Sequence, residues 1–192
     1  MIYGVGHRGA RVLFMISESR YWKTPLLRTA TWLERLLVKE ETSEKSLVRI
    51  EREVFVGFYT IRKLIPTFKL SNSTKQVKIA LQSFPIIKGQ TVDYFNKHNI
   101  DELFEIDAST HEQRDLEFVC NQFIHSYVFS VVLNEDGGIK GFFVASDSMR
   151  HSKVYFAPLG QILTVFRLAG RDYPETLHIN RDSDGQWQEV SK

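Results

Sequence analysis

Residues 112–133 read EQRDLEFVCNQFIHSYVFSVVL, and the spacing of apolar side chains here decides what kind of molecule the chain forms. Leu116, Val119, Phe123, Ile124, Tyr127 and Val131 recur at three- and four-residue steps, the period of one buried helical face. The spacing predicts a single helix from Glu112 to about Val132, with Ser109 or Thr110 as its cap and Glu112 in its first turn.

Working outward, the same period occurs twice upstream. Leu26, Ala30, Leu33 and Leu37 mark a helix over 26–38. Leu47, Ile50, Val54, Phe58, Ile61 and Ile65 mark a stronger one over 47–65, with Arg49, Glu51, Arg52, Arg62 and Lys63 on its polar side. Pro66 ends it, because a residue preceding proline is pushed out of the helical region. Residues 71–110, punctuated by Ser71, Asn72, Ser73, Pro85, Gly89 and Asn99, read as a connecting excursion with short helices at 92–97 and 101–104. Downstream, NEDGG at 134–138 predicts a turn between 131–133 and the strand-like 139–145, and a further strand is expected at 153–157. Pro158 then opens a helix carrying Leu159, Ile162, Leu163, Phe166 and Ala169, closed by Gly170. Leu177 and Ile179 belong to a last short strand. The expected class is mainly α: a helical domain over 26–170 with a small antiparallel β insertion near 131–157, between the last two helices. It has an N-terminal lead-in at 1–25 and a polar tail at 171–192.

The 192 residues are 43% hydrophobic, 25% charged and 12% aromatic, the composition of a globular domain rather than a fibrous or disordered chain. Cys120 is the single cysteine, so no disulfide framework exists within the chain. No apolar run approaches the ~20 residues of a membrane span, and MIYGVGHRGARV lacks the apolar core of a secretory signal, so a soluble, cytoplasmic protein is expected. The net charge of +2 conceals an asymmetry. Residues 1–78 carry 15 Lys/Arg against 7 Asp/Glu, a net +8, and the remainder carries 10 against 16, a net −6. A basic half permits phosphate or an acidic partner, although two halves that neutralise each other in one domain give the same count.

Several motifs fall to their context. GVGHRG at 4–9 fits the pyrophosphate-binding G-x-G-x-x-G expression, but only three residues precede it, too few for the strand that must deliver such a loop. NRDSDG at 180–185 resembles half a calcium loop and lacks the terminal bidentate acid. The histidines show no metal-ligand spacing, and neither a metal nor a cofactor is expected. No G-x-S-x-G elbow occurs, and Cys120 and His125, five helical positions apart, diverge rather than form a dyad.

Arg114, Asn121 and His125 remain. On one helix, Asn121 and His125 are a turn apart and Arg114 lies on the same face about 10 Å up the axis. An imidazole acting as acid or base, with an amide and a guanidinium holding phosphate oxygens, suits a phosphodiester. The plainer alternative is a histidine hydrogen-bonded within the packing, with Asn121 as its partner.

The segment CNQFIHSY, 120–127, resembles the signature helix of HEPN domains, the helical RNA- and nucleotide-binding family of toxin-antitoxin and defence systems. Asn121, His125 and Tyr127 match its pattern, and Cys120 stands where that family has arginine. The resemblance implies a helical bundle that interacts with RNA, acting as a homodimer or with a protein partner from the same system. It implies a non-catalytic or regulatory role, because cysteine does not counter charge on a pentacoordinate phosphate. Arg62, Lys63 and Tyr127 are the expected RNA contacts. One alternative is a metal-independent endoribonuclease in which His125 works with a substitute cation, Arg114 or Arg62 and Lys63. Another is a structural adaptor, which would show an exposed apolar patch at Phe142 or Tyr155.

Overall fold

The computed structural model describes residues 18–174 with their side chains, and the backbone alone of 3–5, 11–13, 177–181 and 187–191. In chain order it runs β1 (Tyr3–Val5), β2 (Arg11–Leu13), α1 (Arg20–Arg35), α2 (Glu44–Leu64), α3 (Asn72–Lys75), β3 (Lys78–Pro85), α4 (Ile100–Leu103), β4 (Thr110–Asp115), α5 (Leu116–Ile124), β5 (Ser126–Leu133), β6 (Ile139–Ser146), β7 (Lys153–Pro158), α6 (Leu159–Arg171), β8 (Leu177–Arg181) and β9 (Trp187–Ser191). Most of the glycine motif near the N-terminus and of the calcium-like loop near the C-terminus lies outside the described residues.

Five strands form one antiparallel sheet in the order β4-β3-β7-β6-β5, so the class is α/β and the mainly helical expectation is corrected. The difference starts in residues 112–133. They form a strand, a nine-residue helix and a second strand, with Asp115 as the helix N-cap rather than Ser109 or Thr110. Along β5 the side chains alternate between two cores: Val128 packs on one face of the sheet, and Phe129 and Val131 on the other. Alternation at period two is open to a strand and closed to a helix. The β-branched run Val128, Val131, Val132 also favours the strand locally.

α1, α2, α5 and α6 cover one face of the sheet, burying Leu26, Leu33, Ile50, Phe58, Ile61, Phe123, Phe142 and Phe166 completely or nearly so. Phe58 stacks on Phe123, 4.0 Å between ring centroids, and meets Phe166 edge-on at 5.2 Å. Gly57 makes that crossing possible, since a Cβ there would lie 2.3 Å from Phe166 Cζ. The segment between β3 and β4 folds over the opposite face, where Val92, Leu103 and Phe104 close a smaller core on Phe84, Val128, Val154 and Phe156.

The helix boundaries follow local chemistry. Ser43 caps α2 by accepting from the Ser46 amide, Arg62 and Lys63 sit in its last turn, and Pro66 follows. The predicted NEDGG turn joins β5 to β6, with Gly137 at φ +83°, a conformation that a side chain would strain. α1 is fastened at its start by Lys23, whose side chain is fully buried. Its ammonium donates to the carbonyl of Lys69 at 2.5 Å and to that of Asp172, and lies 4.3 Å from the Tyr173 ring centroid. Burial lowers the Lys23 pKa, with the Asp172 charge opposing. The Asp172 carboxylate in turn accepts from the amide and hydroxyl of Ser71 at 2.7 and 2.9 Å. α1, the loop before α3 and the end of α6 are therefore tied at one point.

Candidate nucleic-acid interface

The residues expected to converge on a phosphodiester are dispersed. Arg114 is on β4, opposite Ile79, not on a helix with His125. The nine residues of α5 separate the two, roughly 14 Å at 1.5 Å per residue. Its guanidinium donates to Glu112 Oε2 at 2.6 Å and to the Tyr155 hydroxyl at 3.3 Å, and stacks over Phe118 at 4.7 Å. Glu112 also accepts from Ser83 Oγ at 2.6 Å and Lys153 Nζ at 2.8 Å. Burial pushes the Glu112 carboxyl up, but hydrogen bonds from Lys153, Ser83 and Arg114 outweigh it and hold the pKa below the ordinary value. Arg114 therefore belongs to a structural polar cluster at the rim of the helix-covered core.

Cys120, at the position of the missing arginine, is fully buried in that core. Burial raises its thiol pKa to about 12, so the sulfur is a packing atom rather than a nucleophile. Asn121 and His125 do lie one turn apart, the His125 amide donating to the Asn121 carbonyl at 3.1 Å. Their side chains have separate surroundings. Asn121 Oδ1 accepts from Arg62 Nε at 3.2 Å, and Arg62 also pairs with Glu117 at 2.7 Å, which neutralises it. His125 is the exposed C-cap of α5, and its carbonyl accepts from the Asp147 amide at 3.0 Å. Tyr127 is half-buried beneath the Arg150 guanidinium, 3.7 Å from its ring centroid, and Arg150 is held by Asp147 at 3.2 Å and His151 at 3.0 Å. Lys63 projects into solvent from the end of α2. No cluster of three or more metal-ligating side chains occurs among the described residues.

A different surface gathers a row of exposed cations. The outer face of α2 carries Lys45, Arg49, Arg52 and Lys63 with the half-exposed ring of Tyr59 among them, a row about 27 Å long at 1.5 Å per residue. Beside it, α1 contributes Arg28 and Arg35. Three hollows join these cations, Lys63 excepted, into a groove whose lining also includes Glu44 and Glu53. One of about 640 Å³ is lined by Leu27, Arg28, Trp32, Arg35 and Leu37; a second of about 190 Å³ shares Arg28 and Trp32 with it. A third of about 380 Å³ shares Arg49 with the second and adds Lys45 and Arg52. The Arg49 guanidinium lies 4.3 Å from the Trp32 ring centroid. Among the described residues, Arg28, Arg35, Lys45, Arg49 and Lys63 form no ion pair, whereas Arg52 pairs with Glu53 at 3.0 Å.

Of the expected RNA contacts, only Lys63 lies on this surface with its charge unpaired. Trp32, Arg28, Arg49 and Arg52 belong to no sequence motif, although the net +8 of the N-terminal segment points to their half of the chain. Phe142 and Tyr155 are fully buried, which corrects the expected apolar patch; two adjacent aromatics that are exposed are Tyr94 and Phe95, at 70% and 83%. They stand on a turn fixed by Asp93 Oδ1, which accepts from the amides of Phe95 and Asn96, and by Asn96 Oδ1, which accepts from the Asp93 amide. No described helix is long and apolar enough to cross a membrane. No family model matches this chain, and no similar protein was found among curated proteins or solved structures.

Proposed function

We propose that the chain is a non-catalytic RNA-binding protein that takes single-stranded RNA along the α1–α2 groove. The supporting observation is the row of cations around Trp32 and Tyr59, most of which form no ion pair among the described residues. Phosphate contacts supply most of the affinity of such a surface, and an aromatic ring offers a stacking platform to any base. The dispersal of Arg114, Asn121 and His125 favours binding over cleavage. On this reading the chain is a regulatory or binding member of a toxin-antitoxin or defence system rather than its nuclease.

Fluorescence anisotropy with a labelled RNA of about 20 nucleotides tests the proposal. Wild type should bind, and the triple variant Arg49→Ala, Arg52→Ala, Lys63→Ala should bind at least ten-fold more weakly. Its plot of log affinity against log salt should be shallower by about 2, at ~0.7 for each phosphate that the variant no longer neutralises. Unchanged affinity in the variant would exclude the groove as the RNA site. Gels of the same samples should show intact RNA with both wild type and His125→Ala; cleavage that disappears in His125→Ala would restore the nuclease reading.

The Tyr94–Phe95 turn favours a second reading, an adaptor that docks these rings in a partner protein. Tyr94→Ser with Phe95→Ser should leave RNA affinity unchanged if RNA uses the groove, and should abolish co-purification with a native partner if the turn is the docking point.

A further inference from the structure

The two edges of the sheet are built differently. β4, at one edge, reads THEQRD, with His111, Glu112, Arg114 and Asp115 among its six residues. β5, at the other, reads SYVFSVVL and holds no charge and no proline. Charged side chains protect an edge, whereas a long apolar edge with unpaired amides and carbonyls is a template for another strand. β5 pairs with β6 alone, so its outer side is open among the described residues.

We infer that β5 is a dimerisation edge that pairs antiparallel with β5 of a second copy of this chain. The register suits a second copy as the occupant. Pairing with β6 is irregular between Ser126 and Val128 and again between Val132 and Leu133, leaving a regular stretch, 128–132, whose centre is Ser130. A two-fold axis through Ser130, perpendicular to the sheet, sets Phe129 opposite Val131 of the second copy on the helix-covered face. On the other face it sets Val128 opposite Val132 and Ser130 opposite itself. Every pair is apolar or neutral, and no like charges meet. A foreign strand would need matching side chains at alternate positions; a second copy supplies them by symmetry. The α2 helices flank the junction, because Phe55 of α2 packs on Phe129 at 4.8 Å.

Sedimentation equilibrium tests this by charge exchange. Wild type should sediment at twice the chain's 22.3 kDa. Ser130→Lys and Ser130→Glu should each sediment at the chain mass, since each sets like charges face to face, and an equimolar mixture of the two should recover the doubled mass. A monomeric wild type at about 100 µM, well above the micromolar range of weak specific association, would overturn the inference. So would variants that stay dimeric, because the interface would then lie elsewhere. Should either variant fail to fold, hydrogen exchange on wild type decides the matter: alternate amides of 128–132 should be protected at high concentration and lose protection on dilution. Exchange there that is independent of concentration would sink the inference.

Discussion

An arginine returned to position 120 would have nowhere to put its charge. The site is closed on all sides, and an unpaired buried cation costs several kcal/mol, a large part of what a domain of this size has to spare. Cys120→Arg should therefore collect in the insoluble fraction, whereas Cys120→Ala should stay soluble with a lowered melting temperature; a soluble, RNA-cleaving Cys120→Arg would refute the assignment of this position to the core. A thiol pushed up to about 12 should also resist alkylation at pH 8 until the chain is unfolded, as a thiol-labelling assay in and out of denaturant would show. Glu112 makes a prediction in pH. Its pKa is lower folded than unfolded, so between the two values the unfolded chain binds more protons and stability rises with pH. Its contribution is fully present above the ordinary carboxylate range and is lost as pH falls through the lower, folded value. Glu112→Gln should cost about 1.5–3 kcal/mol in urea denaturation at pH 7, and its stability should change less than that of wild type across the acid window. At this scale the sequence is partly legible. The one-turn relation of Asn121 to His125 follows from spacing alone, but the partners of the Glu112–Arg114 pair come from β3 and β7, brought together by pairing that no local pattern announces.

At the scale of elements, α2 is readable to within about three residues: Ile50, Val54, Phe58 and Ile61 of the predicted stripe are buried and Pro66 follows its end, whereas the start is three residues earlier and Leu47 is exposed. Also readable are β6, β7 and α6, each bounded by turn residues or by Pro158. The stretch 112–133 misleads because Leu116, Val119, Phe123, Tyr127 and Val131 satisfy a helical period while Val128, Phe129 and Val131 also satisfy alternation. β4, with no apolar residue, has neither signal and is defined by its partner β3. Gly57 tests how closely the elements fit. Gly57→Ala gains helix propensity but drives a methyl into Phe166, and overpacking of this kind costs about 1–3 kcal/mol. Chemical denaturation should show a net loss, and Gly57→Ala with Phe166→Leu should recover part of it; a stabilised single variant would mean that the α2–α6 crossing relaxes freely.

Across the whole molecule, the charge asymmetry read from the sequence has a spatial counterpart. The cationic groove lies on the helical layer, and the segment between β3 and β4 lies on the other side of the sheet. Stability and binding should therefore separate. Phe104→Ala, which empties part of the smaller core, should cost about 3–5 kcal/mol yet leave RNA affinity unchanged at temperatures where the variant is folded. Calorimetry with anisotropy on one preparation checks both, and a joint loss would mean that the two faces are coupled. The tie at Lys23 has a chemical consequence. An ammonium enclosed by two carbonyls and a ring is out of reach of acylating reagents, while the exposed lysines of α2 are open to them. In a mass-spectrometric time course Lys23 should be the slow amine, its modification paced by the parting of α1 from the end of α6, so that one lysine serves as an internal clock for the opening of the helical layer.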